Sequence, residues 1–136
     1  MHRGDTLLIP APGGPITPHL WILVTEPTRD SHTCVIVNVT TLRSSVDQTV
    51  TLGVGDHPFI RHPSAVRFSD AQFADALRLL AEVAARNAEP HRACSPELLK
   101  LVQDGILASP FTPKKIVAFC REQWGLAPKE PRATHG

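Results

Sequence analysis

The sequence predicts an α+β fold, in which a small antiparallel barrel or strongly bent sheet is followed by a C-terminal extension of three helices. Three observations predict it. Residues 1–68 contain short runs rich in β-branched residues, and residues 69–126 change to a helical hydrophobic period. The chain has 136 residues, of which 42% are hydrophobic, enough for one domain with its own core. We therefore predict a single domain over residues 1–126 and a disordered polar tail over residues 127–136.

Clusters of Pro, Gly, Asp and Ser separate the strand-like runs, and the runs begin at regular intervals that suit a small barrel. The runs over residues 20–25 and 34–37 are apolar at nearly every position, which predicts central strands that are covered on both faces. Residues 11–19 hold three prolines and two glycines, which predicts a loop. The predicted strands are residues 6–10, 20–25, 34–41, 48–53 and 64–68.

The first predicted helix begins at a capping-box pattern, in which Ser69 is followed by Gln72. Apolar residues then recur at helical spacing, and the helix fades near residues 86–93. A regular spacing of this kind predicts one apolar helix face. Its members are Phe73, Leu77, Leu80 and Ala84.

Two further helices carry clear start and stop signals. Ser95 and the following proline predict an N-cap with proline in the first turn, and Gly105 predicts the end of that helix. A Thr-Pro pair at Thr112 predicts the start of the third helix, and Gly125 predicts its end. The apolar face of this helix comprises Ile116, Val117, Cys120 and Trp124.

Charge and cysteine content favour a cytoplasmic protein. Fourteen Lys and Arg residues against thirteen Asp and Glu residues give a net charge of +1, so no global field attracts nucleic acid or membrane. Cys34, Cys94 and Cys120 are odd in number and lack CxxC spacing, which predicts buried thiols in a reducing compartment. No apolar run reaches membrane-spanning length and the N-terminus lacks a signal peptide, so we expect no membrane partner.

Histidines concentrate in the β-rich half. Five of the seven lie at positions 2, 19, 32, 57 and 62, and two of these fall in the proline-punctuated segment "VGDHPFIRHPSAVRFSD" over residues 54–70. Because an imidazole titrates near neutral pH, this asymmetry predicts that any acid–base chemistry lies on the barrel.

Four segments, in their order, resemble the PemK/MazF-like toxin family. They are "GDTLLIP" (4–10), "HLWILVT" (19–25), "CVIVNVTT" (34–41) and "PSAVRFSDA" (63–71), so the resemblance covers about residues 4–71. It implies an SH3-like barrel and membership among the growth inhibitors of toxin–antitoxin systems, which commonly cut RNA. The sequence departs from the family where its functional arginine would fall at His19 and the following proline at Leu20. The segment "GDHPFIRHPS" (55–64) has no counterpart in the family, and the three-helix extension is longer than the family's usual ending.

The resemblance and the histidines together predict a metal-independent endoribonuclease that cleaves single-stranded RNA and needs no cofactor. Such cleavage requires a base for the 2′-hydroxyl proton, an acid for the 5′-oxygen and donors for the phosphate. We predict His19 and His57 as the acid–base pair, with His62 able to replace either, and Asp56 as the residue that orients an imidazole. The residues predicted to bind the scissile phosphate or the strand are Thr40, Thr41, Ser64, Arg43, Arg61 and Arg67.

Two alternatives use the same sequence differently. Asp56, His57 and His62 are spaced closely enough to suggest a metal site, although the spacing matches no recognised signature. A non-enzymatic toxin or interaction module would instead bind a protein partner, such as an antitoxin, and the helical half would offer an apolar groove or a homodimer surface.

Overall fold

A computed structural model of the protein describes residues 1–10 and 17–128. Within them, six antiparallel strands form a curled half-barrel sheet with three helices on its C-terminal side, which confirms the predicted α+β class. The strands are β1 (Thr6–Pro10), β2 (Pro18–Leu23), β3 (Thr33–Thr41), β4 (Thr51–Leu52), β5 (Ser64–Asp75) and β6 (Glu89–His91). The helices are α1 (Ala76–Ala84), α2 (Pro96–Ala108) and α3 (Lys114–Gln123).

The sheet is ordered β4-β5-β3-β2-β1-β6. Strands β3 and β5 form its longest pair, with Thr33 opposite Asp75 at one end and Thr41 opposite Ser64 at the other. A register shift between Ile36 and Asn38 marks a bulge in this pair, which increases the local bend. Strands β2 and β3 lie in the middle of the order, so the prediction of two central strands is confirmed.

Each face of the sheet carries its own hydrophobic cluster, because side chains alternate along a strand. The larger cluster joins one face to α2 and α3, and the smaller one joins the opposite face to α1. Burial on both faces explains the continuous apolar runs in β2 and β3. Representative members are Leu20, Val37, Phe68, Val102 and Ile116 in the larger cluster, and Leu7, Leu23, Ile36 and Leu79 in the smaller.

The predicted start of the first helix at Ser69 is wrong, because β5 continues through Asp75. Helix α1 begins at Ala76, and the Asp75 carboxylate caps it by accepting hydrogen bonds from the backbone N–H groups of Leu77 and Arg78. The sheet therefore extends beyond residue 68, the predicted end of the barrel. Pairing with β3 decided the structure of residues 69–75 against their helical pattern.

The predicted apolar face of α1 is also the exposed one. Leu77 and Leu80 are 54% and 45% exposed, whereas Ala76 and Leu79 are buried against the sheet. Phe73 belongs to β5 rather than to the helix. The helix has apolar residues on two sides, and only the side with Ala76 and Leu79 packs on the sheet.

In α2, the predicted cap is confirmed and the predicted end is wrong. The hydroxyl of Ser95 accepts a hydrogen bond from the Leu98 N–H at 3.1 Å, but the helix runs through Gly105 to Ala108. Gly105 is required by packing instead. A Cβ at this position would lie 2.3 Å from Cζ of Phe68 and 2.7 Å from a methyl group of Val50.

Helix α3 begins after Pro113 without a side-chain cap, so Thr112 is not its N-cap. Its end is as predicted, since Gly125 follows with a φ of +67°. Of the predicted 11–19 loop, Pro18 and His19 belong to β2 and residues 11–16 lie outside the described residues. Most of the predicted tail, residues 129–136, also lies outside them.

In the part of the chain that the structure describes, no helix is both long and apolar enough to cross a lipid bilayer.

Candidate functional site

The predicted site residues separate into two clefts, one side-chain cluster and one isolated histidine. The first cleft, here called the β3 cleft, has a volume of about 250 Å³ and lies beside the end of β3. The second, here called the β4–α2 cleft, has a volume of about 510 Å³ and lies between residues 54–61 and 92–95. The β3 cleft holds Thr40, Arg43 and Arg67; the β4–α2 cleft holds Asp56, His57 and Arg61; the cluster comprises Thr41, His62 and Ser64.

The β3 cleft combines two cations with hydroxyl donors. Thr40, Arg43 and Arg67 line it, and both arginines are exposed. Arg67 has a loose ion pair with Asp70, whose carboxylate oxygen lies 3.7 Å from the guanidinium Nε. A hydroxyl next to two guanidinium groups is a favourable environment for a phosphate.

One carboxylate, that of Asp47, also lines the β3 cleft, and both of its oxygens already accept hydrogen bonds from other residues. Asp47 accepts from the Ser109 hydroxyl at 2.6 Å and from both the N–H and the hydroxyl of Thr49. Burial raises the pKa of Asp47, but these hydrogen bonds outweigh burial, and the pKa is lowered overall. Asp47 therefore stays ionised and ties the loop after β3 to the end of α2.

Phe111 lines the same cleft, and no sequence pattern singles it out as a functional residue. It is 59% exposed, and its backbone N–H donates to the Ser109 hydroxyl at 3.1 Å. Ser109 thus links Phe111 to Asp47 and fixes the turn that presents the ring. An isolated phenylalanine between two helices has no motif that distinguishes it from a core residue.

At the last residue of β3, a hydroxyl meets an imidazole. The Thr41 hydroxyl and Nε2 of His62 are 3.1 Å apart, and both side chains are exposed. Ser64 pairs with Thr41 in the sheet but is buried, and its hydroxyl donates to the His62 carbonyl at 2.9 Å. Ser64 therefore fixes the backbone of His62 and is not available to bind a strand.

His19 lies on the same sheet face as Thr40 and Arg67. This follows from the register, in which His19 pairs with Ile9, Leu7 pairs with Trp21, and Trp21 pairs with Asn38. Its Nδ1 lies 3.4 Å from the Val39 carbonyl oxygen, and the ring is half-buried. The residue lines neither of the two clefts.

On this face, Asn38 is the buried polar residue between His19 and Arg67. Its Nδ2 donates to the Asp70 carboxylate at 3.1 Å, whereas its Oδ1 is buried and has no partner among the described residues. The amide holds Asp70 in place, and Asp70 in turn lies near Arg67.

His57 has a different environment from the one that general acid–base catalysis needs. It is only 3% exposed, and its two ring nitrogens bond to backbone groups: Nε2 donates to the Arg92 carbonyl at 2.6 Å and Nδ1 accepts from the Phe59 N–H at 3.1 Å. Burial lowers the pKa of His57, and the nearby His91 and Arg92 lower it further against the Arg92 hydrogen bond. The ring is therefore a neutral connector between two segments.

Asp56 does not orient an imidazole. Its carboxylate accepts from the Gly53 N–H at 2.7 Å and closes the turn over residues 53–56, which is the ordinary role of aspartate in a turn. In residues 1–10 and 17–128 no three His, Cys, Asp or Glu side chains come together as a metal site, so the alternative grouping of Asp56, His57 and His62 is not formed.

The chain matches no protein-family model, and a comparison with curated proteins found no match either.

Proposed function

We propose that this protein is a metal-independent endoribonuclease of the PemK/MazF-like toxin type, which acts on single-stranded RNA at the end of β3. One observation carries the proposal. Thr40 places a hydroxyl in a cleft with two arginines, on the sheet face that also carries His19, and Thr41 contacts an exposed imidazole on the opposite face. Because Thr41 is the last residue of β3, an RNA strand that passes around this strand end would meet both groups. These are the groups that phosphate binding and proton transfer require.

In this proposal, the β3 cleft binds the scissile phosphate. Arg43 and Arg67 balance its charge, and the Thr40 hydroxyl donates to a non-bridging oxygen. Phe111 supplies an exposed ring on which a base of an unpaired strand stacks. Stacking of this kind requires a splayed base, which favours single-stranded over double-stranded RNA.

His62 takes the place of His57 as the general base. Its Nε2 is oriented by the Thr41 hydroxyl, and its Nδ1 has no partner among the described residues. The base removes the proton from the ribose 2′-hydroxyl, and the 2′-oxygen attacks phosphorus. The bond to the 5′-oxygen breaks, and His19 on the neighbouring strand β2 gives that oxygen a proton. The products are a 2′,3′-cyclic phosphate and a 5′-hydroxyl end.

The test is cleavage of a long single-stranded RNA in EDTA, with the ends identified by mass spectrometry. We expect His62→Ala to lower the rate about 100-fold or more. We expect Arg67→Ala to lower it at least about tenfold, because a phosphate donor is lost. Arg78→Ala, an exposed arginine on α1, is the matched control and is expected to cleave normally. Equal rates in all three variants, or no cleavage by the wild type, would refute the proposal.

A second candidate function rests on α1. Its exposed leucines, Leu77 and Leu80, form an apolar surface on the helix side that faces away from the sheet. Such a surface suits a protein partner, such as an antitoxin or a second copy of this chain. If the protein acts by binding, a Leu77→Lys/Leu80→Lys double variant will lose growth inhibition while His62→Ala retains it. Light scattering of the wild type and the double variant will show whether the partner is a second copy.

A further inference from the structure

The β4–α2 cleft has features that neither the proposed cleavage nor the packing of the fold uses. Two exposed arginines line it, Arg61 from the segment 54–61 and Arg92 from the segment 92–95. In the residues that the structure describes, neither guanidinium has an ion-pair or hydrogen-bond partner. Two like charges in one cleft repel each other, so an anion between them is favourable.

The acidic group in this cleft does not neutralise the arginines. The Asp56 carboxylate accepts from the Gly53 N–H, and no ion pair joins it to either guanidinium. The Ser95 hydroxyl accepts from the Leu98 N–H at the start of α2, which leaves its own proton free to donate. The side-chain donors left for a ligand are therefore the two guanidinium groups and this hydroxyl.

The remaining lining is apolar. Val54, Pro58, Ile60 and Ala93 complete the cleft, and Val54 is largely exposed. The volume of about 510 Å³ lies within the range typical of small-molecule sites. Two arginines beside an apolar wall suit a ligand in which an anionic group is joined to a flat apolar group. They suit an inorganic anion less well, because it would leave the apolar wall without a contact.

The two walls are held at a fixed separation by a buried residue. His57 joins the Phe59 N–H in one wall to the Arg92 carbonyl in the other, and its ring also contacts His91 with ring centroids 5.0 Å apart. Because His57 is buried, this connection does not depend on a ligand. The cleft is therefore formed in advance, which lowers the entropic cost of binding.

We propose that the β4–α2 cleft binds a nucleoside monophosphate group, with its phosphate between Arg61 and Arg92 and its base against the apolar wall. The group has two sources with the same chemistry: a free nucleotide and the 5′-phosphorylated end of an RNA strand. The proposal is independent of the cleavage chemistry at the end of β3, since it uses other residues and another cleft.

The test is isothermal titration calorimetry with adenosine monophosphate, adenosine and inorganic phosphate as separate probes. We expect adenosine monophosphate to bind more tightly than either fragment. Arg61→Ala and Arg92→Ala should each weaken its binding at least about tenfold, because each removes a charge-assisted contact. Arg78→Ala on α1 should leave the affinity unchanged. Failure to bind adenosine monophosphate, or an affinity that Arg61→Ala and Arg92→Ala leave intact, would overturn the proposal.

A second titration separates the two sources. A short oligoribonucleotide is compared with and without a 5′-phosphate, against both the wild type and Arg92→Ala. Tighter binding of the phosphorylated strand than of the mononucleotide, lost in Arg92→Ala, assigns the cleft to an RNA end. Equal or tighter binding of the mononucleotide assigns it to a free nucleotide. RNA cleavage by Arg61→Ala is measured in parallel, so that failure here is distinguished from failure at the β3 cleft.

Discussion

Nε2 of His57 lies 2.6 Å from the carbonyl oxygen of Arg92, so a ring from the loop after β4 holds the segment that leads from β6 into α2. The other ring nitrogen accepts from the Phe59 N–H. Both bonds require the neutral ring with its proton on Nε2. A second proton would remove the acceptor on Nδ1 and place a charge in a buried site beside Arg92.

This geometry predicts that stability falls in mild acid. Since the pKa of His57 is lowered in the folded protein, the unfolded chain binds the proton more readily. The contribution of His57 is fully present above histidine's ordinary pKa of 6.5, and it is lost as the pH falls from that value towards the folded pKa. Urea unfolding across this range should show a declining free energy of unfolding. His57→Gln should flatten the decline, whereas the exposed-site variant His62→Ala should preserve it.

Gly105→Ala is expected to destabilise the protein despite the higher helix propensity of alanine. The propensity gain is about 1 kcal/mol, but the added Cβ would overlap Phe68 and Val50. Overpacking in a closed core commonly costs about 1–3 kcal/mol, so after the propensity gain is subtracted we expect a net loss of up to about 2 kcal/mol. The control is Gly53→Ala, whose Cβ would meet nothing within 4 Å. Thermal unfolding of both variants measures the difference, and a more stable Gly105→Ala would contradict the packing described for α2.

Truncation of a leucine in α1 is expected to lower the free energy of unfolding strongly on the buried side of the helix and very little on the exposed side. Leu79→Ala removes a buried side chain from the smaller cluster and should lower the free energy of unfolding by about 2 kcal/mol or more. Leu77→Ala removes an exposed side chain and should change it by less than about 0.5 kcal/mol. Denaturant unfolding of the two variants decides between this orientation and the one that the sequence pattern predicted.

The three thiols are expected to react slowly while the protein is folded. Burial raises the pKa of Cys34 and Cys94 to about 11 and that of Cys120 to about 12, so little thiolate is present near neutral pH. Cys34 and Cys120 are fully buried, and Cys94 is half-buried. Titration with Ellman's reagent should therefore find Cys94 the fastest of the three. All three should react at least about tenfold faster in urea. Rapid reaction of Cys120 in the folded protein would contradict its position in the core.

The sequence predicted the strands better than the helices, for a physical reason. Runs of β-branched residues bounded by turn residues mark β1, β2 and β3 without reference to the rest of the chain. The pattern after Ser69 fits both a helix and a strand, and only pairing with β3 decides between them. Strand β6 has three residues and includes a proline, so its pairing with β1 has no local signal.

The site could be predicted only as a set of residue types. Composition drew attention to the histidines, but it could not show that His57 is buried and that His62 is exposed. The pairing of Thr41 with His62 depends on how the loop after β4 returns to the sheet. Arg92 and Phe111 come from the helical half, where neither charge pattern nor spacing connects them to the strands.

The pairing of β6 with β1 has a consequence for synthesis on the ribosome. Thr6 lies opposite His91, so the first strand emerges long before its outer neighbour does. Until then, β1 presents unpaired backbone groups along one side, a template for unwanted association with other nascent chains. Pro10 has no backbone N–H, so this edge of β1 offers one hydrogen-bond donor fewer to another chain. A shortened chain that ends before Glu89 would keep this edge permanently open, and such truncations should be avoided when the β-rich half is produced alone.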